Sequence, residues 1–212
     1  MTMLNFKEEK LRIFSIRRQQ DFILPSYEVL IDSRILMVLK TGFIKETIVL
    51  PQFLIEHIKE NASAKSSNIP AKRGIMVVES LINDENYNVI IDKTEFKGLE
   101  GLNRKIVHLA VKKKYRLLAI DNELEPYTKI VGVEVLKLNE LSMALKKVFF
   151  KGDVITVKPI KRGRYTGEGI GYLDDNSTVI IEGASTSLGK IIKCEVISVL
   201  DLPTGRVIFA KI

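Results

Sequence analysis

The stretch LNRKIVHLAVKKKYRLLAID, residues 102–121, decides how the first part of this chain folds. Leu102, Ile106, Leu109 and Ala110 recur at helical spacing, with Arg104, Lys105 and Lys112 to Lys114 on the other faces. That spacing predicts a helix over 102–113 with one apolar stripe. Tyr115 to Ile120 follows as a short apolar run of the kind a strand buried on both faces requires, and Asp121 closes it with a carboxylate. A helix that delivers a buried strand is the building unit of a parallel sheet covered by helices.

Outward from this unit, the same alternation extends over residues 22–148. Further strands are predicted at Asp21 to Leu24, Thr47 to Leu50, Asn88 to Asp92 and Val133 to Leu138. Helices are predicted at Glu28 to Leu39, Gln52 to Asn61, Arg73 to Asn83 and Asn139 to Lys147. Ala62 to Pro70, rich in Ser, Ala and Asn, reads as an exposed loop. After Phe150 the pattern changes. Five β-branched runs, Val154 to Val157, Gly169 to Leu173, Thr178 to Ile181, Ile191 to Leu200 and Arg206 to Ala210, are separated by Gly-containing turns. Five strands in so short a span predict a small OB-like barrel. The predicted division is an N-terminal extension at 1–20, an α/β domain at 21–150 and a β domain at 151–212.

Composition bounds the function. A chain of 212 residues, 46% hydrophobic, can bury a core for one ordinary domain and a smaller one. A net charge of +7 favours an anionic partner, nucleic acid or an acidic surface. Cys194 is the single cysteine, which excludes an intrachain disulfide and a thiolate metal cluster and suits a cytoplasmic setting. Apolar runs are too short to span a bilayer, and Glu8, Glu9, Arg17 and Arg18 interrupt the first twenty residues, so neither membrane anchor nor signal peptide is expected.

Five stretches, in this order and spacing, carry a family resemblance: Ile31-Asp32-Ser33-Arg34-Ile35, Thr41-Gly42-Phe43, Leu50-Pro51-Gln52-Phe53, Gly169 to Asp175, and Gly205 to Lys211. The chain resembles the bacterial PIN-TRAM proteins, a PIN nuclease-like domain followed by a TRAM domain. The resemblance implies a metal-dependent endoribonuclease centre in which four acids converge on magnesium or manganese, a hard ion that prefers oxygen ligands. Residue by residue, those four positions fall on Ser26, His57, Asn103 and Asp121, so only Asp121 keeps a carboxylate. The same positions bring about one negative charge instead of about four, and magnesium or manganese is expected to bind weakly, with no cofactor certain. Asp32 and Glu123 are the candidate replacement metal ligands beside Asp121. His57 is open as a ligand for a softer metal or as ordinary surface, and Asp121 as a metal ligand or as the cap of the next helix. Glu56 is expected to turn away from the cleft.

The resemblance also implies RNA binding by the C-terminal domain. Lys158, Lys161, Arg162, Arg164 and Tyr165 offer cations for phosphate and a ring for a base, the chemistry of single-strand recognition. Lys190, Lys193, Arg206 and Lys211 are candidate extensions of that patch, and Arg73, Arg104 and Lys105 are candidates to flank the first domain's cleft and hold an RNA backbone. Gly183 to Lys190 imitates a phosphate-binding loop but has one residue too many between its glycines and Ile191 where a Ser or Thr is needed. The expected function is an RNA-binding PIN-TRAM protein with lost or weakened nuclease activity, not an efficient enzyme. A ribonuclease with a rearranged acid set and a protein-interaction module are the alternatives. PIN domains commonly pair, so a homo-oligomer, with a dimer favoured, is expected through Leu36, Val38 and Phe43.

Overall fold

The structure, a computed structural model, describes residues 22–64, 68–129, 131–202 and 205–212, so the N-terminal extension and Asp21 lie outside the described residues. The chain divides into two compact units, the first ending at Asn139 and the second spanning Glu140–Ile212.

In chain order the first unit contains β1 (Phe22–Pro25), α1 (Tyr27–Asp32), α2 (Arg34–Lys40), β2 (Thr47–Pro51), α3 (Gln52–Ala64), α4 (Ile69–Asn83), β3 (Val89–Asp92), α5 (Leu102–Lys113), β4 (Arg116–Ala119), α6 (Glu125–Thr128) and β5 (Val135–Lys137). The helix α7 (Leu138–Ala144) straddles the division. The five strands form one parallel sheet in the order β3-β2-β1-β4-β5. Consecutive residues such as Ile23 and Leu24, Val49 and Leu50, and Leu117 and Leu118 are all buried. Neighbours on a strand point to opposite faces, so both faces of the sheet are covered, which is why these strands read as unbroken apolar runs. The chain leaves the central β1 toward β2 and β3, then returns to place β4 on its other side. The carboxyl ends of β1 and β4 therefore flank the reversal point, where open parallel sheets form a crevice.

Two helical expectations change. The predicted helix Glu28 to Leu39 is two helices, because Ser33 adopts φ 73° and ends α1 with its N–H on the Val29 carbonyl. Asp32 Oδ1 accepts from the Arg34 N–H at 3.2 Å and restarts the chain as α2. Leu30, Ile35 and Leu39 stay buried through the break, so apolar spacing conceals it. Of the predicted loop Ala62 to Pro70, residues 65–67 lie outside the described residues, and the rest are helical except Asn68: α3 runs to Ala64, and α4 starts at Ile69. The Asn68 side chain caps α4 by accepting from the Ala71 N–H at 3.2 Å, with Pro70 in the first turn. Gly74 lets α4 press close: a Cβ there would lie 3.0 Å from Ile31 Cγ2 and 3.2 Å from Ile58 Cγ2.

The second unit holds β6 (Val154–Val157), β7 (Pro159–Arg162), β8 (Gly169–Tyr172), β9 (Thr178–Glu182), β10 (Ile192–Leu202) and β11 (Gly205–Lys211), in the order β6-β10-β11-β9-β8-β7. The β9–β11 pair is parallel and the others antiparallel. The edge strands β6 and β7 lie at opposite ends of this order yet are joined by Lys158 alone, so the sheet must curl back on itself. Ile155, Val157, Val179, Ile181, Cys194, Val196, Ile208 and Ala210 point into the enclosed core. β7 is a sixth strand beyond the five expected; its Pro159 and the adjacent Lys161 and Arg162 gave it the look of a basic turn. Gly183 to Lys190 is a connection with one 3-10 turn at Ala184–Thr186, between β9 and β10.

Candidate functional site

Backbone and side-chain hydrogen bonds tie the carboxyl ends of β1 and β4 together at the crevice. The Ser26 N–H donates to the Leu118 carbonyl at 2.8 Å and stitches the end of β1 to β4. Ser26 itself is wholly buried and caps α1, its Oγ accepting from the Val29 N–H at 3.3 Å. The same hydroxyl donates to Glu123 Oε1 at 3.0 Å. Glu123 Oε1 also accepts the Ile120 N–H at 2.7 Å, and Oε2 the Asp121 N–H at 2.8 Å. Glu123 is thus folded back onto the strand end, its two oxygens holding three donors.

Asp121 faces a different neighbour. Asn139 Nδ2 approaches Asp121 Oδ2 at 3.5 Å, the outer limit of a hydrogen bond. Asn139 Oδ1 accepts from Arg34 Nη1 at 3.1 Å, and Arg34 Nε pairs with Asp32 Oδ1 at 2.6 Å. Asp121, Asn139, Arg34 and Asp32 therefore form one file in which the cation is a guanidinium. The cap of α6 is Leu124, with no side-chain bond, so Asp121 does not cap that helix.

His57 and Asn103 are both half-buried. The His57 ring meets Tyr27 edge-on at 5.4 Å between centroids. Burial, with Glu28 adding to it, raises the Tyr27 hydroxyl above its ordinary pKa, so the ring beside His57 is an uncharged phenol. Glu56 is exposed and accepts from Gln52 Nε2 at 2.8 Å. Asn103, Arg104 and Lys105 lie in the first turn of α5; two residues join its far end to β4, so that first turn points toward the carboxyl edge of the sheet. Arg73 Nη1 donates to the Ile31 carbonyl at 3.4 Å, at the end of α1. Magnesium or manganese requires several free oxygens on one point. Among the described residues, no three His, Cys, Asp or Glu side chains form such a group, and Asp32, Asp121 and Glu123 are not brought together as one ligand set. The donors present do not fit the ion.

Asp92 and Glu168 were not singled out in the sequence. Asp92, buried at the end of β3, accepts from the Thr94 N–H at 2.8 Å and the Tyr115 hydroxyl at 3.3 Å. Burial pushes its carboxyl up, but the Thr94 and Tyr115 hydrogen bonds and the Lys113 charge outweigh it and hold the carboxyl below its usual value. His108 is exposed and packs edge-on against Phe96 at 5.0 Å, with Lys112 over the same ring at 5.9 Å.

In the second unit Lys158, Lys161, Arg162, Arg164 and Tyr165 are all exposed. Lys161 Nζ lies 5.7 Å from the Tyr172 ring centroid, and the Arg164 guanidinium 6.0 Å from that of Tyr165. Glu168 braces this hairpin from within, its carbonyl accepting the Gly163 N–H at 2.9 Å and its carboxylate the Tyr165 N–H at 3.0 Å. Arg206 departs from the sequence reading: it is buried, clamps Asp201 at 2.6 and 3.1 Å, and donates to the Lys147 carbonyl at 2.5 Å. Its guanidinium is a structural pin and not part of an exposed patch. Leu36 and Val38 pack against the first unit's core, whereas Phe43 is 68% exposed.

Residues 148–201 match the TRAM domain family. A PIN and TRAM-domain containing protein of Synechocystis is 30% identical over 184 residues, covering 86% of this chain and 51% of that protein. Another, from Bacillus subtilis, is 32% identical over 186 residues, covering 86% of this chain and 50% of its own length. Residues 148–201 thus carry a TRAM domain, and most of the chain is similar to PIN and TRAM-domain containing proteins. The chain spans about half the length of the curated relatives it matches. A solved domain of a functionally unknown protein from Methanocaldococcus jannaschii, 20% identical, covers 63% of this chain and 99% of its own with a TM-score of 0.50, a likeness of fold. No helix among the described residues is long and apolar enough to cross a membrane.

Proposed function

We propose that this protein binds RNA and that the metal-dependent cleavage centre of its PIN-like unit is lost or severely weakened. The observation that carries the second half is the state of Glu123. An acid two residues beyond Asp121 would serve as a replacement ligand through lone pairs aimed at the ion, and three of the four lone-pair sites of Glu123 are already taken by Ser26, Ile120 and Asp121, which leaves one on Oε2. Asp32, the other reserve, is engaged by Arg34. A crevice with fewer free carboxylates also repels RNA phosphates less, which favours retention of the strand over its cleavage. The first half rests on the TRAM match together with the exposed basic hairpin Lys158 to Tyr165, whose cations release counterions on meeting a phosphate backbone.

Purified protein, incubated with labelled single-stranded RNA and magnesium or manganese, should bind without cutting. Binding should weaken steeply as salt rises, and the Lys161→Glu/Arg162→Glu variant should lose affinity across sequences. Cleavage that Asp121→Asn abolishes would establish the rearranged nuclease instead. No RNA affinity at low salt would leave the interaction module as the better reading.

A further inference from the structure

The curl of the second unit leaves a seam. Among the described residues β6 pairs only with β10, and β7 only with β8, so the two edge strands meet at Lys158 without pairing to each other. The seam pinches at Gly171, where a Cβ would lie 2.6 Å from Val157 Cγ2 and 2.8 Å from the Lys158 carbonyl oxygen. Beyond the pinch it opens into a cleft of about 610 Å³ whose lining includes Lys147, Val154, Thr156, Lys158, Tyr172 and Ile191. That volume is in the range of sites that enclose small ligands.

Three properties of the cleft point to one occupant. Its walls are apolar and open to solvent: Val154 is 68% exposed, Ile191 74% and Tyr172 44%. Its rim is cationic at Lys147 and Lys158, and Lys161 continues it into the basic hairpin. The outer edge of β6 adds backbone N–H and C=O groups that no strand covers, as at any sheet edge. Asp174 and Asp175 also line the cleft, and Asp175 Oδ1 accepts the Ser177 N–H at 2.9 Å. A cleft with exposed apolar side chains, amide edges for hydrogen bonds and lysines at its rim suits a nucleobase whose phosphate stays toward a lysine.

We propose that this seam cleft takes an unpaired base of single-stranded RNA, stacked on Tyr172, with the flanking phosphates held by Lys158, Lys161 and Lys147. The inference rests on the RNA-binding reading above and extends it from a basic patch to a base slot. Lys161 sits over one face of the Tyr172 ring, so the base stacks on the opposite face. A duplex cannot use the slot, because its bases are already paired and stacked. The preference for single strands follows.

The full chain is titrated with fluorescein-labelled ten-nucleotide oligouridylate, oligoadenylate and a ten-base-pair RNA duplex. Single strands should bind more tightly than the duplex. Tyr172→Ala should weaken single-strand binding on the order of ten-fold with an unchanged salt slope, since it removes stacking and no charge, and Tyr172→Phe should retain affinity. Ile191→Glu, at an exposed position, should weaken it similarly without disturbing the core. Wild-type affinity in both Tyr172→Ala and Ile191→Glu, or a duplex bound as tightly as the single strands, overturns the slot. The Lys161→Glu/Arg162→Glu variant separates the two levels. If it alone weakens binding, the patch stands and the slot falls; if the wild-type chain binds no oligonucleotide at low salt, both fall.

Discussion

Replacing Ser26 by Asp restores the carboxylate that the family resemblance places there, and the structure indicates what that costs. Ser26 is fully buried and its hydroxyl donates to Glu123 Oε1 at 3.0 Å. An aspartate at this position still accepts the α1 cap bond but cannot donate, and it sets a second negative charge within about 4 Å of Glu123. At an effective dielectric near 20, two like charges at that distance repel by roughly 4 kcal/mol. Against a total stability of about 5–15 kcal/mol, that is a large fraction. Ser26→Asn is the control, since its side chain can donate and carries no charge. In chelator, Ser26→Asp should unfold at markedly lower denaturant than Ser26→Asn. Manganese should then return part of the loss, because two carboxylates on one point are the start of a metal site, and an ion at a hundred times its Kd contributes about 2.7 kcal/mol. The assay is urea unfolding of both variants with and without the metal. Equal midpoints for Ser26→Asp and Ser26→Asn in chelator would refute the account of Glu123 as a brace facing Ser26.

Three further outcomes follow from particular contacts. The Asp92 carboxyl is held below its usual value in the folded state, so its contribution is fully present above the ordinary range near ~4 and is lost as pH falls through the depressed value; Asp92→Asn should therefore be less stable at neutral pH and flatten the acid limb of a stability-versus-pH curve. Gly171→Ala should destabilise the second unit by about 1–3 kcal/mol in chemical denaturation, because the new methyl meets the Lys158 backbone at 2.8 Å, which a side-chain rotation cannot relieve. Arg206→Met should cost about 1 kcal/mol, because the exposed Asp201 carboxylate regains water when it loses its donor, and Arg206→Lys should not rescue it, since an ammonium cannot reproduce the forked contact.

How much of this was legible in sequence depended on which force set the feature. The helix over 102–113 appears with the predicted bounds, and β4 falls inside 115–120, because burial on one face or both leaves a periodic trace. Features set by single hydrogen bonds left no such trace. The break at Ser33 depends on one positive φ and one Asp32 contact, and both neighbouring helices keep the same apolar stripe. The start of α4 at Ile69 was hidden because Asn68 and Pro70, which look like loop residues, are there a cap and a first-turn proline. Asn before an Ile-Pro pair was the available signal. Arg206 shows the converse limit. Its charge suggested an RNA contact, but direction along a strand is fixed by register, and the β9–β11 pairing puts Ile208 and Ala210, the next residues on the same face, in the core.

The candidate site was read in sequence as a count of acids, and the structure shows why a count is the wrong measure. Glu123 adds a carboxylate two residues from Asp121, so by number the crevice has lost less than it seems. But a metal ligand must present a free lone pair, and Glu123 keeps one of about four, on Oε2, because the Ile120 and Asp121 amides and Ser26 take the others. The hydroxyl at position 26 is what makes that arrangement stable, since a serine donates where an aspartate would repel. The substitution that removes one acid is thus the one that accommodates another as a structural brace, and the two are a single change in the physics of the crevice. Arg34 completes it by placing a permanent cation, through Asn139, in the file that ends at Asp121. A mutation that merely adds charge at position 26 therefore disturbs a brace before it builds a metal site, and a metal held at that point would have to share Glu123 with the Ile120 and Asp121 amides.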